Sequence, residues 1–161
     1  MSCQAQPITN ELTQEQFNDI RVNGVLKTDV EATNGTVEEM ESLFGIAHSV
    51  FDNGIEIGEH TRKFIYLNSN LNEDYFIFKN LSSNTNVNII EFKVSSITIS
   101  GATINVGDNI SVLGNNILFN NNTDGTLSVI YSLFDYDGFS IIIEFDQNTN
   151  TVTEIKYYVW T

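Results

Sequence analysis

Tyr157-Tyr158-Val159, inside the last apolar run of the chain (Val152 to Trp160), matches Phe92-Lys93-Val94 at an offset of 65 residues. Three further matches extend outward from this pair in the same order. Asn148-Thr149-Asn150 answers Asn84-Thr85-Asn86 at 64, Val129-Ile130-Tyr131 answers Phe64-Ile65-Tyr66 at 65, and Ser111-Val112-Leu113-Gly114 answers Ser42-Leu43-Phe44-Gly45 at 69. One small deletion brings all four into register, which is the mark of an internal duplication. The repeated runs read as strands. Arg62 to Leu67, Tyr75 to Leu81, Val87 to Val94, Ile97 to Ile99, Leu127 to Leu133, Phe139 to Phe145 and Val152 to Trp160 are rich in β-branched and aromatic residues and are separated by Asn, Ser, Gly and Asp clusters. Several of the connections are short enough to make antiparallel pairing of neighbours the economical topology.

Helical signals precede the first set of strands. Thr13 and Gln16 form a capping box ahead of Phe17 and Ile20, predicting a helix over 13–22 that ends near Asn23-Gly24. Thr36 and Glu39 form a second. Val37, Met40, Leu43 and Phe44 share one face, Glu38 and Glu39 suit the positive end of the helix dipole, and Gly45 can stop the helix, so 37–44 is predicted helical. In the second copy this helix shrinks to a single turn between Gly107 and Leu113. The expected organisation is α+β: a flexible tail over 1–12, a first repeat over 13–95 and a second over 96–161, each a short helical segment followed by an antiparallel meander.

Composition limits the function classes. The chain has 161 residues and a net charge of -14, from 21 acidic against 7 basic side chains, so a phosphate-binding surface and a nucleic-acid partner are excluded as expectations. Eleven Phe and 6 Tyr supply enough apolar area to offset the chain entropy of one compact domain. A single Cys cannot build a disulfide framework or a Cys-based zinc cluster. No run approaches the roughly 18 apolar residues of a membrane span. Ser2-Cys3-Gln4 is similar to the cleavage point of a bacterial lipoprotein, which would make Cys3 a lipid anchor and place the chain in the cell envelope or outside it; with Met1 as the native start it would be cytoplasmic. The four glycosylation-like sequons, at Asn34, Asn80, Asn109 and Asn121, are what chance yields in so Asn-rich a chain.

A short helical segment ending in Leu-Phe-Gly, followed by a meander and then duplicated, resembles the β-lactamase-inhibitor-protein-like repeat and its relative, the SmpA/OmlA outer-membrane lipoprotein domain. Ile104-Asn105-Val106-Gly107-Asp108 with Leu113-Gly114-Asn115 is similar to that family's repeat entry, and Phe145-Asp146-Gln147-Asn148 with Val152, Ile155 and Tyr157 to its last hairpin. The resemblance covers 36–160 and implies one curved sheet with helices on one face and a concave face open to a partner. Two departures stand against it: the inhibitors carry disulfides in each repeat, and the second helix here is reduced. Where the inhibitor's insertion loop holds an Asp-Tyr pair, this chain has Asp74-Tyr75, with Asp135-Tyr136-Asp137 at the corresponding turn of the second copy. Fold resemblance does not carry inhibition over.

Chemistry is sparse. His48 and His60 have no nucleophile partner in the sequence pattern, and two histidines without a metal-ligand spacing predict no metal site, so no catalytic residue and no cofactor is expected. Asn120-x-Asn122-x-Asp124-Gly125 imitates half of a calcium loop, but Tyr131 stands where the bidentate Glu belongs and Asp-Gly is an ordinary hairpin signal. Glu73-Asp74 and Asp135 with Asp137 read as solvated turn charges. The residues in excess of core needs are aromatic. The expected function is a non-enzymatic protein-binding or inhibitor-like module that meets a basic partner through its concave sheet and through hairpin tips at 72–75 and 135–138, using Asp74, Tyr75, Asp135, Tyr136, Asp137, Tyr158 and Trp160. The alternatives are an accessory envelope lipoprotein tethered by Cys3, and an acidic immunity or mimic protein that blocks a basic active site.

Overall fold

The computed structural model describes residues 8–68, 72–81, 87–133 and 136–159, excluding the side chains of Tyr136 and Asp137. In chain order the elements are β1 (Asn10–Leu12), α1 (Gln14–Asn18), β2 (Arg21–Val22), β3 (Val25–Leu26), α2 (Lys27–Ala32), α3 (Val37–Phe44), β4 (Ser49–Asn53), β5 (Thr61–Leu67), β6 (Glu73–Lys79), β7 (Asn88–Val94), β8 (Ser96–Ile99) and β9 (Ala102–Asn105). A 3-10 turn (Ile110–Leu113) then leads to β10 (Asn120–Asn121), β11 (Thr126–Leu133), β12 (Tyr136–Asp146) and β13 (Val152–Val159). The protein is mainly β. Its large sheet runs β1-β11-β12-β13-β7-β6-β5-β4, with β10 on β11, and is mixed because β1 lies parallel to β11.

The sequence predicts one sheet; the structure has two. A small antiparallel sheet, β3-β2-β8-β9, shares the helix side of the large one. It arises from two tight hairpins. Asn23-Gly24 and Ser100-Gly101 each place consecutive residues at positive φ (48° and 82°, 51° and 82°), the backbone that a two-residue hairpin matched to strand twist requires. Asn23-Gly24 reads as a helix stop when only the preceding capping box is considered. The box does form, with Thr13 Oγ1 accepting from Gln16 N, but the helix it starts ends at Asn18 rather than 22. The second predicted helix keeps its bounds, Val37–Phe44. Thr36 is its N-cap, although the Thr36 hydroxyl donates to the Glu39 carboxylate (2.9 Å) instead of accepting from the first turn.

Strand alternation decides which side is core. On β6, Asp74, Phe76 and Phe78 are buried while Tyr75, Ile77 and Lys79 face the other way. The buried side continues through Phe64, Phe92, Tyr157, Ile141 and Val129, and it is closed by Ile20, Val30 and Met40 of the helical region and by Val22, Ile97, Ile99 and Ile104 of the small sheet. Phe44 of α3 stacks on Phe76 (5.1 Å), and Phe17 of α1 stacks on Phe139 (4.5 Å). Each fully buried Phe contributes about 1.5–3 kcal/mol relative to an exposed one, which explains why one face of the large sheet attracts every helix.

The large sheet consists of two meanders, β5-β6-β7 and β11-β12-β13, that meet along β7 and β13. Phe76 pairs with Phe92 in the first, and Ile141 with Tyr157 in the second, each 65 positions on. Phe92 pairs with Tyr157 across the junction. Between the outer strands the register differs by two residues: Phe64 pairs with Phe76, but Val129 with Ile143.

Candidate binding face

The face of the large sheet opposite the core carries no helix or strand among the described residues. Pairing lays its side chains out in rows. One row runs Phe51, Lys63, Ile77, Glu91, Tyr158, Ser140, and the next Ser49, Ile65, Tyr75, Lys93, Lys156, Ile142. At the centre, the Tyr75 hydroxyl donates to the Glu91 carboxylate, Glu91 sits opposite Tyr158, and the Lys63 ammonium lies 4.3 Å above the Tyr75 ring. Lys156 is 3.2 Å from the Glu154 carboxylate and 5.8 Å from the Tyr158 ring centre.

The electrostatics follow from partial burial with internal pairing. Burial, reinforced by the acceptor Glu91, pushes the Tyr75 phenol well above its ordinary range. Burial alone would lower Lys156, but its contacts with Tyr158 and Glu154 outweigh that and raise it. Glu144 stands opposite Glu154, and burial together with that like charge raises its carboxyl. Half-buried rings held by flanking charges form a rigid amphipathic surface of the kind that gives contact area at small entropy cost.

Two of the sequence-predicted site residues, Tyr75 and Tyr158, share this face, Tyr75 bonded to Glu91 and Tyr158 opposite Glu91 on the neighbouring strand. Asp74 is not among them. Expected at a hairpin tip, it lies in β6, which already begins at Glu73, on the core side at 6% exposure. One carboxylate oxygen accepts from Asn23 Nδ2 (3.1 Å), Ser95 N (3.2 Å) and Ser95 Oγ (2.7 Å), tying the large sheet to the β2–β3 turn. It is therefore a structural acceptor rather than a solvated turn charge. Tyr136 and Asp137 begin β12, with side chains outside the described residues, as are Asp135, Trp160 and Cys3 altogether. Lys63, Glu91, Lys93 and Lys156 were not singled out from sequence. Their signal is polar residues at alternate positions in otherwise apolar runs, Glu91-Phe92-Lys93 and Glu154-Ile155-Lys156.

A second feature lies on the helix side. Lys27 is 2% exposed, paired with Glu31, and its ammonium sits 4.5 Å from the Phe17 ring and 4.8 Å from the Tyr157 ring. This cation-π arrangement borders a cleft of about 640 Å³ whose wall includes Phe139 and Val159. Glu31 and the two ring faces supply partners for this buried charge.

The half-calcium loop is a hairpin turn. Asp124 accepts from the amide (3.0 Å) and hydroxyl (2.6 Å) of Thr126, bonds that hold its carboxyl below the usual range. His60 Nε2 lies 3.3 Å from Asp52, which is itself clasped by Arg62 through two hydrogen bonds of 2.7 and 3.2 Å. Among the described residues, no three His, Cys, Asp or Glu side chains converge as metal ligands, and no helix is long and apolar enough to cross a membrane.

No family model matches the sequence, and no curated protein matches it. The structure is similar to that of a cysteine-rich secretory protein from Staphylococcus aureus subsp. aureus Mu50, with a TM-score of 0.48 and 13% identity. The match covers 93% of this chain and 50% of the other, so this chain spans about half the length of that one.

Proposed function

We propose that the chain is a non-enzymatic protein-binding module that holds its partner against the open face of the large sheet, with Tyr75 and Tyr158 as the anchors. The observation that carries this reading is the Tyr75–Glu91–Tyr158 cluster: two half-buried tyrosines, Tyr75 held by the Glu91 carboxylate and Tyr158 opposite Glu91 with Lys156 beside its ring, on a face that no described element covers. Aromatic anchors set in ordered polar surroundings are where binding energy concentrates. The open-face lysines are balanced by Glu91, Glu154 and Glu144, whereas the chain as a whole carries -14, so the long-range field favours a basic partner.

The duplication belongs to the same proposal. Two helix-plus-meander units, related across the Phe92–Tyr157 pair, would combine to make a face wider than either unit provides. Equal register within the inner hairpins supports this, and so do Tyr66 and Tyr131 in strands at mirrored positions of the sheet. Kinship with the β-lactamase-inhibitor-protein-like repeat is part of this reading.

The test is kinetic. After capture and identification of a partner with the intact chain, Tyr158→Ala and Tyr75→Ala should each speed dissociation about tenfold or more, the equivalent of roughly 1–3 kcal/mol per anchor. Association should slow as salt rises from about 0.05 to 0.5 M, where the Debye length falls severalfold. Unchanged dissociation of both variants contradicts the open-face reading.

A further inference from the structure

The two ends of the large sheet differ. At the β1 end, the Asn10 side chain donates to the Leu118 carbonyl (2.9 Å) and accepts from the Leu118 amide (3.0 Å), while Asn120 brackets the Ile8 backbone in the same manner (2.8 and 2.7 Å). That edge is short and closed by its own chain. At the other end, β4 pairs with β5 over five residues and has no strand on its outer side among the described residues. β4 contains neither Pro nor Lys, the residues that usually blunt a free edge.

The chain around this edge is apolar, exposed and acidic. Ile46 is 84% exposed, Phe51 52%, Ile55 58% and Ile57 75%, with Val50 at 39% on the opposite side of the strand from Phe51. Residues 37–59 hold six carboxylates (Glu38, Glu39, Glu41, Asp52, Glu56 and Glu59) and no Lys or Arg. The adjacent bases on β5 are engaged: Arg62 with Asp52, and Lys63 over the Tyr75 ring. A free edge offers backbone hydrogen bonds, alternate apolar side chains offer contact area, and the uncompensated charge selects the sign of what binds.

We propose that β4 accepts an extended, basic segment of a partner protein as an additional strand, its apolar side chains meeting Val50 and Phe51 and its Lys or Arg residues meeting Glu56 and Glu59 of the β4–β5 loop. A second copy of this chain would bring -14 against -14 and is the disfavoured occupant. The site adjoins the open face, whose first row begins at Phe51, but it uses the outer backbone edge of β4, and the inference does not depend on Tyr75 or Tyr158 acting as anchors.

The probe is a blocked octapeptide of alternating Lys and Val, titrated into the isotope-labelled full chain and followed by amide shifts. Shifts should concentrate at 46–57, exchange at β4 amides should slow, and Phe51→Ser should weaken binding about tenfold. Val112→Ser, the same loss of apolar area at an exposed residue elsewhere, should leave it unaltered. N-methylation along one edge of the peptide should abolish binding, and along the other edge should not. The proposal is overturned if a Lys-Gly peptide binds equally, which would mean charge alone, or if a Glu-Val peptide does. It is also overturned by shifts on the open face instead of β4, by β4 shifts that follow protein concentration without peptide, or by no shift at about 1 mM peptide.

Discussion

The rings of Phe92 and Tyr157 stack across the junction of the two meanders, with centroids 4.8 Å apart and planes 9° from parallel. Phe92 is wholly buried and lies between Phe76 and Tyr157, so it couples both halves of the sheet. Phe92→Ala should cost about 3–5 kcal/mol of stability, as large-to-small changes at packed aromatic sites do. With Tyr157→Ala added, the combined loss should fall short of the sum by about 0.5–1.5 kcal/mol. Urea unfolding of the four proteins in the cycle measures both quantities.

Asp74 separates folding from binding. Asp74→Ala removes an acceptor shared by Asn23 and Ser95 and strands the Asn23 amide group and the Ser95 hydroxyl, while Ser95 N keeps Asn23 Oδ1, so urea unfolding should show a loss of about 2–3 kcal/mol. Dissociation from a partner, measured on the folded fraction, should be unchanged. A faster dissociation would restore Asp74 to the binding surface.

The buried tyrosines make the fold sensitive to alkali. Burial pushes Tyr66 and Tyr131 up to about 12, from an ordinary value of 10.0. Between these limits the unfolded chain releases protons that the native one retains, so the contribution of these tyrosines to stability should be level below about pH 9 and fall from pH 10 towards 12. The Tyr66 hydroxyl is buried without a hydrogen-bond partner. Tyr66→Phe should therefore match or exceed wild-type stability at pH 7, by up to about 1 kcal/mol, and show a shallower decline above pH 10. Equilibrium unfolding against pH reads both effects.

Glu144 has the opposite ionisation sense from a salt-bridged acid. Its carboxyl is raised by burial and by Glu154, so the native state binds its proton more tightly than the unfolded one. The stability that proton confers is present at low pH and lost as pH rises through the raised value. Glu144→Gln should gain about 0.2–1 kcal/mol at pH 7, typical for relief of directly opposed like charges, and the gain should vanish at about pH 3. A gain that persists in acid would assign the effect to packing instead.

Most of the large sheet is legible in the sequence because its strands alternate strongly: six of the seven predicted runs fall on β5, β6, β7, β11, β12 and β13, and the seventh on β8 of the small sheet. The rest of the small sheet is not legible, since Arg21-Val22 and Val25-Leu26 are too short for any periodicity to register, and Arg21-Val22 joins the sheet by pairing with Ile97 and Thr98, more than seventy residues away. β4 escaped for a related reason. Ser49-Val50-Phe51-Asp52-Asn53 is half exposed on both faces, as an edge strand is, and so lacks the apolar run of a central one. Tyr158 could be singled out as an aromatic beyond core needs and Tyr75 as half of an Asp-Tyr pair, but their placement on one face beside Glu91 depends on which strands adjoin. The burial of Asp74 depends on Asn23 and Ser95 reaching it, which no local pattern announces.

The central claim is that a partner covers the open face of the large sheet, and three of the lysines on that face, Lys63, Lys93 and Lys156, report on it. Reductive methylation of the free chain and of its complex, read by mass spectrometry, tests the claim most directly. The account predicts that Lys63, Lys93 and Lys156 label more slowly in the complex. Equal labelling of all three with and without bound partner contradicts it.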